Sequence, residues 1–108
     1  MMNINELIKT IEGLQEKYRK LSTETSCSTK KEKYRGVREG LSAVLGDLID
    51  IKLDGKTISR DEIIIMLLDY REEYSMYLED ELELNNTKNE IRYKSAISTF
   101  GALLTMVG

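Results

Sequence analysis

The most constraining feature of this chain is a capping-box spacing that occurs four times, each time just before apolar residues at helical spacing. In a capping box, the first side chain accepts a hydrogen bond from the backbone amide three residues later, and a Glu at that later position reaches back to the first amide. The spacing therefore predicts four helix starts. The four quartets are Asn3–Glu6, Thr29–Glu32, Ser59–Glu62 and Thr87–Glu90.

Apolar residues at alternating spacings of three and four follow each quartet, which is typical of helices that pack at a small crossing angle. The pattern predicts helices near residues 4–21, 30–50, 60–84 and 88–106. The connections between them are short and polar, and such connections favour antiparallel neighbours. We therefore expect one all-α domain over residues 1–108, folded as an up-and-down four-helix bundle.

Two local features leave alternatives open. The pair Asp54-Gly55 is typical of a two-residue turn, so residues 51–58 could form a very short hairpin before the third helix. Gly36 and Gly40 lie inside the second predicted helix, where each Gly costs about 1 kcal/mol relative to Ala. We interpret them as the close approach of a neighbouring helix, with a ligand contact as the second interpretation.

The composition argues against common catalytic and metal sites. The chain has no His and a single Cys, which removes the usual general base and leaves too few ligands for zinc, and it carries no glycine-rich phosphate loop. We expect no enzyme activity, no metal and no cofactor. Cys27 cannot form an internal disulfide, so we expect a bystander thiol in a cytoplasmic protein. The most apolar stretch, residues 96–107, is too short to cross a membrane.

Charge is distributed very unevenly along the chain. Between Lys17 and Arg38 there are eight cations and two acids, and between Asp69 and Glu83 there are seven acids and one cation, although the whole chain has a net charge of only −3. We call the cations of the first segment the basic cluster (Lys17, Arg19, Lys20, Lys30, Lys31, Lys33, Arg35 and Arg38). We call the acids of the second segment the acidic cluster (Asp69, Glu72, Glu73, Glu79, Asp80, Glu81 and Glu83).

An up-and-down bundle places its first and third loops at the same end, so both clusters are expected there. Five of the six tyrosines are expected at this end as well: Tyr18, Tyr34, Tyr74, Tyr77 and Tyr93. Tyr combines a ring that can be buried with a hydroxyl that stays in water, and it is enriched at protein interfaces. Two interpretations follow. The clusters screen each other within one molecule, or the acidic cluster faces a partner.

We favour the second interpretation, a non-enzymatic helical module that binds a protein partner. It would also form a homodimer through the wide apolar stripe of the third helix and the apolar tail of the fourth. The predicted partner-binding residues are Glu72, Glu73, Tyr74, Tyr77, Glu79, Asp80 and Glu81. The alternative is nucleic-acid binding through Lys17, Arg19, Lys20, Lys30, Lys31, Lys33 and Arg35, with Tyr18 and Tyr34 as stacking platforms.

Two short segments resemble known proteins. The segment Tyr34-Arg35-Gly36-Val37-Arg38-Glu39-Gly40-Leu41 resembles a pattern in small uncharacterised proteins of phages and prophages, and the opening Met2-Asn3-Ile4-Asn5-Glu6-Leu7-Ile8 is similar to the start of an acidic phage-encoded anti-CRISPR inhibitor. The resemblance implies a small accessory protein of a mobile element that inhibits or regulates a host nucleic-acid enzyme. It carries no functional residue over to this chain.

Overall fold

A computed structural model describes residues 3–108 as four helices, and the predicted all-α four-helix bundle is confirmed. The helices are α1 (Ile4–Glu24), α2 (Ser28–Leu53), α3 (Arg60–Glu83) and α4 (Thr87–Val107). Each boundary lies within three residues of its predicted position. Met2, in the opening segment that resembles an anti-CRISPR inhibitor, lies outside the described residues.

Two of the four predicted caps are present. Asn3 caps α1 with a complete capping box, in which the Glu6 amide donates to Asn3 Oδ1 at 2.9 Å and the Asn3 amide donates to Glu6 Oε2 at 3.4 Å. Ser59 Oγ accepts from the Glu62 amide at 3.1 Å at the start of α3. These side chains satisfy backbone amides that have no partner inside the helix.

The predicted caps Thr29 and Thr87 are wrong, because both helices begin earlier. Cys27 is the N-cap of α2 and makes no side-chain capping bond. Asn86 is the N-cap of α4, and its side chain accepts from the Asn89 amide at 3.2 Å. Asn is the stronger N-cap residue, which explains why it takes the position next to Thr87.

The alternative of a very short hairpin at residues 51–58 is excluded, because the described residues contain no strand. Helix α2 continues to Leu53 and then ends in a Schellman motif, in which the Lys56 amide donates to the Ile51 carbonyl and the Gly55 amide donates to the Lys52 carbonyl, each at 3.1 Å. Gly55 supplies the left-handed conformation with φ +69°. The Asp-Gly pair is therefore a helix terminator in this chain.

Helix directions alternate along the bundle, and the most extensive interface joins two helices that are not neighbours in the sequence. The most extensive interface joins α2 to α4, followed by α3 with α4 and α1 with α2. Gly36 allows the close α2–α4 approach, since a Cβ atom built there would lie 2.1 Å from the Arg92 carbonyl oxygen, and Gly40 contacts Ala96. The interpretation of these glycines as a helix contact is confirmed. Helix α4 consequently lies between α2 and α3.

All four helices contribute to one core. Its fully buried side chains come from every helix and include Phe100, Leu7, Ile11, Leu41, Leu48, Leu67, Leu103 and Val44. Several of them lie in the halves of the helices away from the α1–α2 and α3–α4 turns. None of the helices in residues 3–108 combines the length and the apolar character needed to span a membrane.

Candidate interaction surfaces

Helix α3 presents an acidic surface to solvent. Its buried residues Ile63, Leu67 and Tyr74 recur at helical spacing and face the core. The opposite side therefore points outward, and we call it the α3 face. It carries three exposed apolar side chains, Ile65, Leu68 and Met76. It also carries four exposed acids: Asp69, Glu72, Glu79 and Glu83.

The structure separates the predicted partner-binding residues into two groups. Glu72, Glu73, Glu79 and Asp80 are exposed, and Tyr77 is 40% exposed. Tyr74 is only 9% exposed and packs edge-on against Phe100, with ring centroids 5.1 Å apart. Its ring is therefore mostly covered by the chain itself, and a direct contact of Tyr74 with a partner stays a prediction. Glu81 is half-buried, and one of its carboxylate oxygens is buried without a hydrogen-bond donor among the described residues.

The tyrosines of α3 donate hydrogen bonds to carboxylates, and two of these bonds connect α3 to α2. Tyr70 donates to Asp47 and Tyr74 donates to Glu39, both across to α2, whereas Tyr77 donates to Glu73 on its own helix. Burial raises the pKa of Tyr74 to about 12, with the Glu39 carboxylate as the next cause. Burial also raises the pKa of Tyr70, and its hydrogen bond to Asp47 adds to the effect. These hydroxyls stabilise the α2–α3 contact in their protonated form.

Glu39 also forms an ion pair that connects α2 to α4. The Arg92 guanidinium lies 3.1 Å from the Glu39 carboxylate through its Nε atom, and the pair is partly buried. The same guanidinium lies over the Tyr93 ring, 5.0 Å from its centroid. Glu39 therefore links three helices at the end of the bundle where the tyrosines gather.

The acidic cluster makes no ion pair with the basic cluster among the described residues. The ion pairs among residues 3–108 are Arg19–Glu16, Arg35–Glu32, Arg92–Glu39 and Lys94–Glu90, and none involves the acidic cluster. Because α4 lies between α2 and α3, the two clusters share one end of the bundle but occupy different flanks. The described residues therefore contain no direct ion pair between the two clusters, and mutual screening over longer distances stays an alternative interpretation.

The dipoles of α2 and α3 are unfavourable to the charges at two helix ends. The last turn of α3 is acidic and contains no basic residue, and the first turn of α2 contains no acidic residue to offset its lysines. A charge of the wrong sign at a helix end is unfavourable by about 0.3–1 kcal/mol. The folded chain thus carries charges at two helix ends that are unfavourable to the dipoles, and no ion pair of the described residues involves the lysines of α2 or the acids at the end of α3.

An acidic cleft lies beside the α3 face. It has a volume of about 530 Å³ between α2 and α3, and its charged lining residues are all carboxylates: Asp47, Glu62, Asp69 and Glu73. No cation lines it. The cleft extends the negative surface of α3 toward α2 and is suited to receive a cationic side chain.

The basic cluster lies on α1 and α2 around their connecting turn. Arg19 and Arg35 pair with Glu16 and Glu32 within their own helices. The lysines of the cluster are exposed and make no ion pair in the described structure: Lys17, Lys20, Lys30, Lys31 and Lys33. Tyr18 and Tyr34 are half-buried and tilted against each other with ring centroids 5.8 Å apart, so each ring covers part of the other.

An apolar groove of about 680 Å³ separates α1 from α4, with α2 at its floor. It exists because α1 packs on α2 without forming an extended interface with α4. Its lining is mostly apolar or hydroxyl-bearing, and its two charged residues, Lys33 and Lys94, are cations. The sequence prediction missed this groove, because its walls come from three helices whose mutual packing cannot be read from periodicity.

Cys27 lies at the start of α2 and is exposed. The backbone amide of Lys30 lowers the pKa of the thiol, and the Thr29 amide and nearby lysines act in the same direction. The thiol is therefore more acidic than an ordinary loop cysteine.

The described residues contain no group of His, Cys, Asp and Glu side chains placed to hold a metal ion. No protein-family model, curated protein or solved structure matches this chain. Its function must therefore be inferred from its own surfaces.

Proposed function

We propose that this chain is a non-enzymatic protein-interaction module that binds, through the α3 face, a cationic groove on a nucleic-acid-binding protein and so inhibits or regulates it. The observation that supports the proposal is the row of exposed acids on α3 that make no ion pair in the described structure. A partner that supplies cations would convert unfavourable charges into favourable ones.

The apolar side chains between these acids also favour a protein partner. Ile65, Leu68 and Met76 are 58%, 47% and 61% exposed, and they alternate with Glu72 and Glu79 along the same side of the helix. Stable protein interfaces combine an apolar centre with a polar rim. A surface that only repelled other molecules would have no use for exposed Ile, Leu and Met.

The test is affinity capture from nuclease-treated bacterial lysate, comparing the wild type with the variant Glu72→Lys/Glu79→Lys/Asp80→Lys. All three positions are exposed, so the variant should retain the fold. We expect it to lose the captured protein, and we expect double-stranded DNA or high salt to elute that protein from the wild type.

The matched control is Glu12→Lys/Glu24→Lys/Asp50→Lys, which changes the net charge equally at exposed positions outside α3. It should capture the partner as the wild type does. Equal loss in both variants would show that net charge alone governs binding, and capture that survives the α3 substitutions would defeat the proposal.

Nucleic-acid binding by the basic cluster is the second candidate, favoured by its exposed, unpaired lysines. A titration with labelled single- and double-stranded oligonucleotides at low salt tests it. We expect charge reversal at Lys30, Lys31 and Lys33 to remove binding if the cluster is the site. Binding that persists in this variant would exclude the cluster.

A further inference from the structure

The apolar groove and the α3 face of this chain match in length. The groove follows α4 from Ile91 to Met106, which is about 22 Å of helix. The exposed row of the α3 face from Ile65 to Glu79 extends for about 21 Å. An open groove of this shape suits an amphipathic helix, because a helix laid in a groove presents residues at spacings of three and four.

The two surfaces also carry charges of opposite sign toward one end. In the groove, Met106 and Leu103 lie toward one end and Lys94 toward the other. Lys33 lies at the same end as Lys94, because α2 and α4 run side by side in the same direction, with Gly36 next to Arg92. On the α3 face, Ile65, Leu68 and Asp69 come first, and Glu72, Met76 and Glu79 follow.

We propose that the α3 face of one copy docks into the apolar groove of a second copy, antiparallel to that copy's α4. This orientation brings Ile65 and Leu68 to the Met106 end of the groove. It brings Glu79 to the end that carries Lys94 and Lys33, and it places Glu72 near the middle of the groove, about 8 Å along the helix from Lys94. The small residues Ser98 and Ala102 on the groove wall allow the docked helix to approach closely.

Lys94 is free to take part, although it already lies 3.1 Å from Glu90 on its own helix. That pair is exposed and spaced four residues apart, so it is weak and readily exchanged. Lys33 makes no ion pair among the described residues. The groove therefore offers two cations to two acids of the incoming helix.

The contact joins two different surfaces and is therefore heterologous, whereas the homodimer predicted from the sequence uses the apolar stripe of α3 and the apolar tail of α4. Heterologous contacts produce rings or open chains. Four helical turns form a small interface, so we expect weak association that depends on concentration. The inference uses the same α3 face as the proposed function but does not depend on it, and a basic partner protein would compete with the second copy.

Sedimentation velocity at low salt tests the proposal, with protein from about 10 µM to about 500 µM, a range set by the weak affinity of small interfaces. We expect the wild-type average mass to rise above the monomer mass of 12.4 kDa. The variants Lys33→Glu/Lys94→Glu and Glu72→Lys/Glu79→Lys should each remain monomeric. Their equimolar mixture should associate again, because each acidic surface then meets a basic one. Circular dichroism confirms that each variant is folded.

A wild type that stays monomeric at every concentration would overturn the inference. So would a self-associating Lys33→Glu/Lys94→Glu variant, because a symmetric contact between α3 helices does not need the groove. The proposed function is tested independently of self-docking. Lys33→Glu/Lys94→Glu leaves the α3 face intact, so this variant should still capture the basic partner. Capture lost only in the Glu72→Lys/Glu79→Lys variant, together with a monomeric wild type, would support the proposed function and reject self-docking.

Discussion

Replacing Gly36 by Ala should destabilise the bundle more than any other Gly-to-Ala change in a helix of this chain. The new Cβ atom would lie 2.1 Å from the Arg92 carbonyl oxygen and 2.8 Å from Ser95 Cβ. The nearest obstacle is backbone, so no side chain can rotate away. Helix α4 must retreat from α2 by more than 1 Å to restore ordinary van der Waals contact.

The magnitude follows from two opposing effects. Inserting a methyl group into a packed interface costs about 1–3 kcal/mol, and the close backbone contact places Gly36 at the upper end. The Ala side chain returns about 1 kcal/mol by stiffening the unfolded chain and favouring the helix. We expect Gly36→Ala to lower the free energy of unfolding by about 2 kcal/mol, which is about 8 °C in midpoint temperature for a domain of this size.

Gly46 is the matched control, because it also lies inside α2 and a Cβ atom there meets nothing within 4 Å. Gly46→Ala should stabilise the chain by about 0.5–1 kcal/mol. Gly40→Ala should fall between the two, since its nearest contact, the Ala96 carbonyl oxygen, is at an ordinary 3.4 Å. Thermal and urea unfolding followed by circular dichroism give the order. A Gly36→Ala variant as stable as Gly46→Ala would refute the close α2–α4 packing.

Three further predictions concern stability and reactivity. Arg60 donates hydrogen bonds to the carbonyls of Val107 and Gly108 at 2.9 and 2.7 Å. Arg60→Ala should therefore lower the free energy of unfolding in urea by about 1–2 kcal/mol, and Arg60→Lys should lower it less. An unchanged unfolding midpoint in Arg60→Ala would show that these hydrogen bonds do not stabilise the end of α4. The folded pKa of Tyr74 is raised to about 12, so its contribution to the free energy of unfolding should be complete below about pH 10 and decline by roughly 1–2 kcal/mol toward pH 12. In urea titrations at stepped pH, Tyr74→Phe should make the free energy of unfolding less dependent on pH in this range. Cys27 should react with iodoacetamide at neutral pH faster than a cysteine in the urea-unfolded chain, and equal rates would show that the helix start does not lower its pKa.

The local structure was largely predictable, because it depends on residues close together in the sequence. Capping side chains such as Asn3 and Ser59 act within three residues, and apolar spacing reports helices directly. The errors were local as well. The Asp54-Gly55 pair has the same composition in a hairpin turn and in a Schellman motif, and the choice depends on whether α2 continues to that point.

Only part of the candidate interaction surfaces could be predicted from the sequence. The exposure of Glu72 and Glu79 follows from helical periodicity once Leu67 is assigned to the core. Tyr74 could not be placed, since a Tyr near a helix end is equally suited to a core or an interface. The screening of one charge cluster by the other was an open alternative, because sequence distance does not tell which flanks of a bundle are adjacent.

The sequence alone determined the number of helices, their approximate ends, the presence of two opposite charge clusters and the tyrosines at one end. Only the tertiary structure decided that α2 pairs with α4, because that contact depends on the depth to which Gly36 and Gly40 admit another backbone. From this pairing follow the separation of the two clusters and the groove between α1 and α4. Long-range packing selects one arrangement among several that satisfy the same helical periodicity, and the candidate interaction surfaces are consequences of that selection.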